Sequence, residues 1–126
     1  MNSLKVILLI VQTAIYFQPG WSHKCFVCGP EGGKPEDLYQ LKKSFPNMVV
    51  PSCSKYKQSN KDQYLIDCPP GLSRGCLTKF EENGSIIMCT CAPIAIEDCK
   101  KANGINYCYC KKEGCNTPER SPLPGK

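Results

Sequence analysis

Histidine is almost missing from this chain, since His23 is the only one among 126 residues. Histidine is the commonest general acid or base in enzymes, and serine hydrolases need one to activate the nucleophile. His23 precedes all the cysteines, so it would have to act from a loose end of the domain. The acidic pairs Glu81–Glu82 and Glu97–Asp98 are adjacent in sequence, which is typical of solvated loop acids. The sequence therefore predicts no catalytic residues, and a small secreted enzyme is the least favoured class.

Blocks of like charge are also missing. The chain has 16 basic and 11 acidic residues, a formal net charge of +5, and these charges are dispersed along it. Nucleic-acid-binding domains concentrate lysine and arginine in patches or stripes. We therefore expect no nucleic-acid partner, and no cofactor is expected either.

No apolar run is long enough to cross a membrane comfortably, which takes about 20 residues. The longest run, VILLIVQTAIYF, follows the cationic start MNSLK and precedes QPGWS. Gly20 and Ser22 would occupy the −3 and −1 positions of a cleavage site before His23. This layout predicts a cleaved signal peptide over residues 1–22 rather than a membrane anchor, and it predicts a secreted, extracellular protein.

Cysteine, in contrast, is abundant, with eleven in the chain. This content is typical of a disulfide scaffold, in which cross-links compensate for a small core. The Cys-x-x-Cys and Cys-x-Cys spacings also occur in zinc sites, but thiols on the secretory route are normally oxidised. We therefore expect disulfides and no metal. Ten cysteines can pair and one is left over, and the spacing alone leaves the connectivity open.

The remaining residues favour short strands joined by turns. Residues 24–28 and 63–68 are predicted strands, residues 29–37 form a loop rich in glycine and proline, and residues 38–45 are expected to be irregular because Pro46 follows. A second Asn-Gly, at 103–104, indicates a hairpin or looped return within residues 96–110. Residues 118–126 contain three prolines and no apolar run, so a disordered tail is predicted.

The clearest local signal is a hairpin over residues 75–92. Asn83-Gly84 favours a type I′ turn, in which both central residues need a positive φ. With those two residues as the loop, Phe80 faces Ile87 and Thr78 faces Cys89. Because side chains alternate along a strand, one face is predicted to look inward and the other outward. The predicted inward face comprises Cys76, Thr78, Phe80, Ile87, Cys89 and Cys91, and the outward face comprises Lys79, Glu81, Ile86 and Met88.

The opening Cys25-Phe-Val-Cys28 and the closing Cys110-Lys-Lys-Glu-Gly-Cys115-Asn116 resemble the signature of the three-finger superfamily. This superfamily includes snake toxins, urokinase-receptor domains and lymphocyte-antigen-six proteins. The stretches DCPPGLSRGCLT, MCTCAP and EDCKKANGINYCYC look most like the insect branch of quiver/sleepless-like and boudin-like proteins. The resemblance covers residues 24–117 and implies an all-β, small disulfide-rich three-finger fold over residues 23–117.

The resemblance also implies a disulfide pattern. Carried over position by position, it gives Cys25–Cys76, Cys28–Cys53, Cys68–Cys91, Cys99–Cys108 and Cys110–Cys115. It further implies that Asn116 ties the closing loop to the base of the fold. The chain departs from the common family pattern in three ways: Tyr109 separates two cysteines that are usually adjacent, the loop between Cys28 and Cys53 is long, and there is an eleventh cysteine.

The Cys-Ala-Pro motif fits the family's sixth cysteine at Cys91, so Cys89 is the spare. Cys89 is expected either to pack as a buried thiol or to react. If it reacts, it would cross-link a second chain into a dimer or exchange with Cys91 for Cys68. Relatives usually carry a glycolipid-anchor signal at the C-terminus, and this sequence shows no such apolar tail. A free secreted protein is therefore expected.

Small disulfide-clamped domains without catalytic groups generally bind other molecules. The resemblance implies a module that modulates a membrane receptor or ion channel, as quiver-like relatives do. The alternative is a structural role in epithelial septate junctions or cuticle, as boudin-like relatives imply. The candidate contact surface is the tip of the 75–92 hairpin, namely Lys79, Phe80, Glu81, Glu82, Ser85 and Ile86. Asn83-Gly84-Ser85 is also an N-glycosylation sequon, and a glycan on Asn83 would cover that tip.

Overall fold

The computed structural model describes residues 23–31 and 35–119. The strands are β1 (Lys24–Phe26), β2 (Leu65–Asp67), β3 (Gly75–Glu81), β4 (Ile86–Ala92), β5 (Asp98–Ala102) and β6 (Ile105–Cys110). The helices are α1 (Pro35–Ser44) and two 3₁₀ segments, Cys53–Lys55 and Gln58–Gln63. The predicted small, disulfide-rich all-β fold is confirmed. The predicted signal peptide, and the predicted tail beyond Glu119, lie outside the described residues.

All strand pairs in the two sheets are antiparallel. β1 pairs with β2, and the larger sheet has the order β4-β3-β6-β5. β3 therefore lies at the centre of the larger sheet, with a partner on each side. The six residues of β3 from Cys76 to Glu81 all face residues of β6. The central hairpin, formed by β3 and β4, is thus paired along β3 with the hairpin formed by β5 and β6.

The turn of the central hairpin differs from the predicted type I′ turn. Gly84 N donates to Glu81 O and Glu81 N donates to Ser85 O, each at 2.9 Å. Gly84 has a φ of 93°, whereas Asn103 is the one non-glycine with a positive φ in the described part of the chain. Asn83 is therefore not left-handed. The loop has three residues, 82–84, and its last position is the left-handed glycine that such loops require.

The longer loop also changes the register near the tip. Cys76 faces Cys91 and Thr78 faces Cys89, as predicted, but Phe80 faces Ile86 instead of Ile87. The register shifts between Lys79 and Phe80, where β4 carries one extra residue. Such a bulge absorbs the single-residue offset that the three-residue loop introduces.

The second Asn-Gly forms the type of turn that was predicted for the first. Asn103 has a φ of 54° and Gly104 a φ of 79°, and Ala102 faces Ile105 across the loop. Two consecutive left-handed residues between paired strands define a type I′ hairpin. The prediction of a hairpin within residues 96–110 is confirmed.

Helix α1 corrects the prediction that residues 38–45 are irregular. The segment begins with Pro35, has Glu36 and Asp37 in its first turn and has lysines in its last turn. Proline suits the first helical position because the helix does not need its missing N–H there, and these charges complement the helix dipole. Pro46 lies beyond the end of the helix, so it terminates the helix without breaking it.

The helix covers a face of the central hairpin that was predicted to point outward. Leu41 of α1 and Phe45, just after its end, pack in one buried cluster with Met88 of β4, together with Val27. Met88 is consequently buried, which corrects its placement on the solvent face. A second cluster lies beside it and contains Phe26, Cys28, Cys53, Tyr64 and Cys89.

Five disulfides join these elements: Cys25–Cys76, Cys28–Cys53, Cys68–Cys91, Cys99–Cys108 and Cys110–Cys115. They are the same pairs that the resemblance implies. Such extensive cross-linking fits a secreted or extracellular protein. Among the described residues, no helix is both long and apolar enough to cross a membrane.

Asn116 lies just after the last disulfide and is buried, with 2% of its surface exposed. Its Oδ1 accepts a hydrogen bond from Phe26 N at 2.8 Å. Its Nδ2 lies 2.9 Å from Phe26 O, 3.1 Å from Leu77 O and 3.2 Å from Thr90 O. The side chain thus joins the closing loop to β1, β3 and β4.

Candidate binding cleft

A cleft of about 610 Å³ opens beside the tip of the central hairpin. One side is formed by the loop after β1, the start of α1 and the 3₁₀ turn at Cys53. The other side is formed by the end of β3, the start of β4 and the start of β6. This volume lies within the usual range for ligand sites, roughly 300–1,000 Å³.

An ion pair with little solvent exposure lies at the bottom of the cleft. Lys79 Nζ is 2.5 Å from Asp37 Oδ1, and the side chains are 17% and 9% exposed. Lys79 Nζ also lies 5.6 Å from the centre of the Tyr107 ring, within cation–π range. The pair ties the first turn of α1 to the central strand and neutralises both charges at the bottom of the cleft.

The rim on the helix side carries Glu31. Ser54 Oγ donates to Glu31 Oε2 at 2.8 Å, and Lys55 Nζ lies 3.7 Å from Glu31 Oε1. The hydrogen bond from Ser54, and then the charge of Lys55, lower the pKa of this exposed carboxyl below its ordinary value. The rim acid therefore stays ionised and is held in place by the 3₁₀ turn.

The opposite rim carries Glu81, which is exposed. Within residues 23–31 and 35–119, no salt bridge involves its carboxylate. The charges lining the cleft are those of Glu31, Asp37, Glu81 and Lys79. The cleft is thus locally acidic on a chain with a basic net charge, and Glu81 contributes the uncompensated charge.

Aliphatic side chains form the wall between these acids. Ile86, Ile87 and Ile105 line the cleft, all three partly exposed, beside Cys53 of the Cys28–Cys53 disulfide. Burying this exposed apolar surface against a partner would be favourable, at roughly 25 cal/mol per Å². The cleft therefore combines an apolar wall with acidic rims.

The structure divides the six residues of the predicted contact surface. Lys79, Glu81, Ser85 and Ile86 line the cleft. Phe80 does not belong to the surface, because it is 1% exposed. Glu82 is exposed but points elsewhere, forming an ion pair with Lys101 of β5.

Sequence reasoning missed the helix side of the cleft, which provides Glu31, Asp37 and Ser54, and also missed Ile105 on β6. The signal for Asp37 was present, since Pro35-Glu36-Asp37 is typical of a helix start. No local pattern indicates Glu31, Ser54 or Ile105, because the disulfide Cys28–Cys53 and the β3–β6 pairing bring them to the cleft.

The spare cysteine, Cys89, is free and completely buried. Burial raises the pKa of its thiol to about 12, and a weaker effect of a hydrogen bond with Thr78 opposes this rise. The sulfurs of Cys28, Cys53 and Cys89 lie within 4.8 Å of one another. The neighbouring disulfide is therefore Cys28–Cys53, whereas Cys68–Cys91 was predicted as the exchange partner.

The sequon Asn83-Gly84-Ser85 is on the hairpin tip. Asn83 is exposed, and its Oδ1 accepts a hydrogen bond from Ser85 N at 2.9 Å. Ser85 belongs to the cleft lining. A glycan on Asn83 would therefore begin two residues from the cleft.

Comparisons with protein-family models, with curated proteins and with solved structures found no match for this chain. The fold and its five disulfides define the chain as a small, disulfide-rich all-β domain.

Proposed function

We propose that the chain is a secreted, non-enzymatic three-finger domain of the lymphocyte-antigen-six/uPAR type that modulates a membrane receptor or ion channel. The five disulfides have the pairing that the resemblance implies, and the hairpins β3–β4 and β5–β6 lie in one sheet. The buried amide of Asn116, next to the last disulfide, supports the same assignment. The insect quiver/sleepless-like branch is the branch that the sequence resembles most.

The cleft beside the central hairpin is the observation that carries this proposal. The Cys28–Cys53 disulfide fixes the 3₁₀ turn on one side of the cleft, and the Lys79–Asp37 ion pair joins α1 on that side to β3 on the other. A binding surface held in this way loses little conformational entropy when a partner docks. A rigid, partly apolar cleft in which Lys79 is already paired with Asp37 suits protein recognition better than catalysis.

The chemistry of the cleft favours a partner segment with a basic side chain next to an aliphatic one. Glu81 supplies an uncompensated carboxylate, and Ile86 and Ile105 supply apolar surface beside it. A lysine or arginine fits this arrangement, since its methylene stem can cover the isoleucines while its charge reaches the carboxylate. Extracellular loops of receptors and channels are the accessible source of such segments.

The test is quantitative binding of refolded residues 23–126 to native membranes, followed by capture of the bound protein. We expect Glu81→Lys to weaken binding by about tenfold, which corresponds to about 1.4 kcal/mol. Glu82→Lys is the matched control, because it makes the same charge change on the adjacent residue outside the cleft. The Glu82 side chain is exposed and pairs with Lys101, and an exposed ion pair of this kind contributes little to stability.

Equal binding by wild type, Glu81→Lys and Glu82→Lys would show that the cleft is not the contact site. Capture of a septate-junction component in place of a receptor or channel would replace modulation with a structural role. The same preparation tests glycosylation of Asn83. If Asn83 carries a glycan, enzymatic deglycosylation lowers the measured mass, and the binding of both forms shows whether the glycan covers the cleft.

A further inference from the structure

We propose that Cys28, Cys53 and Cys89 form a thiol–disulfide exchange site whose second state presents Cys53 as a reactive thiol at the cleft. In that state Cys28 is bonded to Cys89, and a small disulfide such as glutathione disulfide can modify Cys53. The exchange itself does not depend on the proposed receptor binding. A modified Cys53 in the cleft wall would change the binding surface, so the exchange would regulate receptor binding.

The first observation is the proximity of the three sulfurs. All three lie within 4.8 Å of one another, two are bonded as Cys28–Cys53, and the third is a free thiol. Thiol–disulfide exchange needs a thiolate next to a disulfide sulfur, and no diffusion step is required here. Cys89 thus lies next to the Cys28–Cys53 disulfide, although the cysteine nearest to it in sequence, Cys91, belongs to Cys68–Cys91.

The second observation is the backbone geometry of Cys28 and Cys89. Cys28 N donates to Cys89 O at 3.0 Å and Cys89 N donates to Cys28 O at 3.1 Å. Residues that exchange both hydrogen bonds in an antiparallel pair have Cα atoms about 5.5 Å apart. Disulfides usually span about 4.4–6.8 Å between Cα atoms. The typical Cα separation of such a pair therefore lies within the range that a Cys28–Cys89 bond needs.

The exchange is balanced within the chain. The small fraction of Cys89 that loses its proton attacks Cys28 Sγ as a thiolate, the Cys28–Cys89 bond forms, and the Cys28–Cys53 bond breaks. Cys53 leaves as a thiolate and takes up the proton that Cys89 released, so no oxidant is consumed. In the second step the Cys53 thiolate attacks glutathione disulfide, giving a mixed disulfide on Cys53 and one released glutathione thiolate.

The two states differ in how accessible their free thiol is to solvent. Cys89 is 0% exposed, whereas Cys53 is 8% exposed and lines the cleft on a short 3₁₀ turn. The Cys28–Cys53 disulfide also joins the two ends of the chain segment between these cysteines, so exchange frees the Cys53 end of that segment from Cys28. A thiol at Cys53 is therefore more accessible than the one at Cys89, and it belongs to the wall of the cleft.

The variant Cys53→Ser tests the geometry directly, because it removes the present partner of Cys28. We expect Cys28 to bond with Cys89 during oxidative refolding, so that a thiol titration of the denatured, non-reduced variant finds no free thiol. Two free thiols per chain, mapped to Cys28 and Cys89, would overturn the proposal.

Wild-type protein provides a test that does not depend on refolding a variant. The folded protein is incubated with glutathione disulfide, and its non-reduced tryptic peptides are analysed by tandem mass spectrometry. Cys53 is the only cysteine between Lys43 and Lys55, so an adduct on peptide 44–55 is unambiguous. We expect this adduct together with a Cys28–Cys89 linkage.

Cys89→Ser is the control, since it keeps all five disulfides and removes the attacking thiol. It is expected to give no adduct on Cys53 under the same conditions. An unmodified wild type, an adduct on Cys89 with Cys28–Cys53 intact, or equal modification of the control would each contradict the exchange. None of these measurements involves a receptor, so they are independent of the binding test.

Discussion

At the scale of single residues, the side chain of Asn116 shows how one amide can hold a small fold together. It makes hydrogen bonds to β1 and lies within hydrogen-bonding distance of backbone oxygens in β3 and β4. Buried backbone groups need partners, and an unpaired one costs about 1–3 kcal/mol. No neighbouring side chain in the described contacts duplicates this role.

We expect Asn116→Asp to destabilise the domain by about 3 kcal/mol or more. The substitution keeps the acceptor for Phe26 N but removes the donor, and it places a carboxylate among carbonyl oxygens. Thermal unfolding of the oxidised protein measures the change. Asn106→Asp on β6, a partly exposed asparagine, is the control and should change stability little. Equal midpoints for the two variants would mean that the Asn116 amide contributes nothing.

Because the thiol of Cys89 is buried, we expect the stability of the domain to depend on pH in the alkaline range. Its pKa rises from 9.0 to about 12 on folding because the thiolate would be buried. Below pH 9 the thiol is protonated in both the folded and the unfolded protein, so its contribution to stability is fully present. Between pH 9 and 12 the thiol ionises only in the unfolded protein, so the free energy of unfolding falls as pH rises. The expected loss is roughly 1.4 kcal/mol per pH unit over that window.

Rapid thermal scans between pH 7 and 11, with wild type and Cys89→Ser compared, measure this dependence. The serine hydroxyl does not titrate in this range, so its curve should fall less steeply. Tyr56 and Tyr64, whose pKa values are also raised by burial, contribute equally to both proteins. Parallel curves would show that Cys89 is not buried as a neutral thiol.

At the scale of elements, helix α1 is the part of the fold that sequence reasoning missed. Its start and its end carry the expected residues, and Pro46 is compatible with the helix because α1 ends at Ser44, two residues earlier. The bulge in β4 was missed for a different reason. A three-residue loop and a two-residue loop both accommodate Asn-Gly, and the pairing of β3 with both neighbours decides between them.

The Asp37–Lys79 pair should couple α1 to β3. We expect Asp37→Asn and Lys79→Met each to cost about 2 kcal/mol, because each leaves a partly buried charge without its partner. The double variant should cost less than the sum of the two, with a coupling of at least about 1 kcal/mol. Chemical denaturation of the oxidised wild type, the two single variants and the double variant gives the four free energies of this double-mutant cycle. Strictly additive effects would show that the pair contributes no stability.

At the scale of the whole molecule, the cross-links do more than the core to fix the fold. The described part holds two small buried clusters, and cysteines contribute to both. A core of this size supplies little net stability, so the entropy that disulfides remove from the unfolded chain becomes decisive. The loops closed by the five disulfides differ widely in length, so the disulfides should differ in their effect.

Removing Cys25–Cys76, which spans 51 residues, should cost about 4 kcal/mol, and removing Cys110–Cys115, which spans 5, should cost about 2 kcal/mol. Each is removed as a paired cysteine-to-alanine variant and compared by thermal unfolding. If removing Cys110–Cys115 cost more stability than removing Cys25–Cys76, strain or lost packing at these sites would outweigh loop entropy.

The sequence by itself determined the class of fold and the frame of cysteines. Their number, the turn residues between them and the closing Cys110–Asn116 motif are local features, so they can be recognised without coordinates. Only the tertiary structure decided the cleft and the neighbour of Cys89. Both depend on contacts between segments far apart in sequence: α1 with β3, β6 with β3, and Cys28 with Cys89. The pairing of strands and disulfides sets those contacts, and local residue patterns do not encode them.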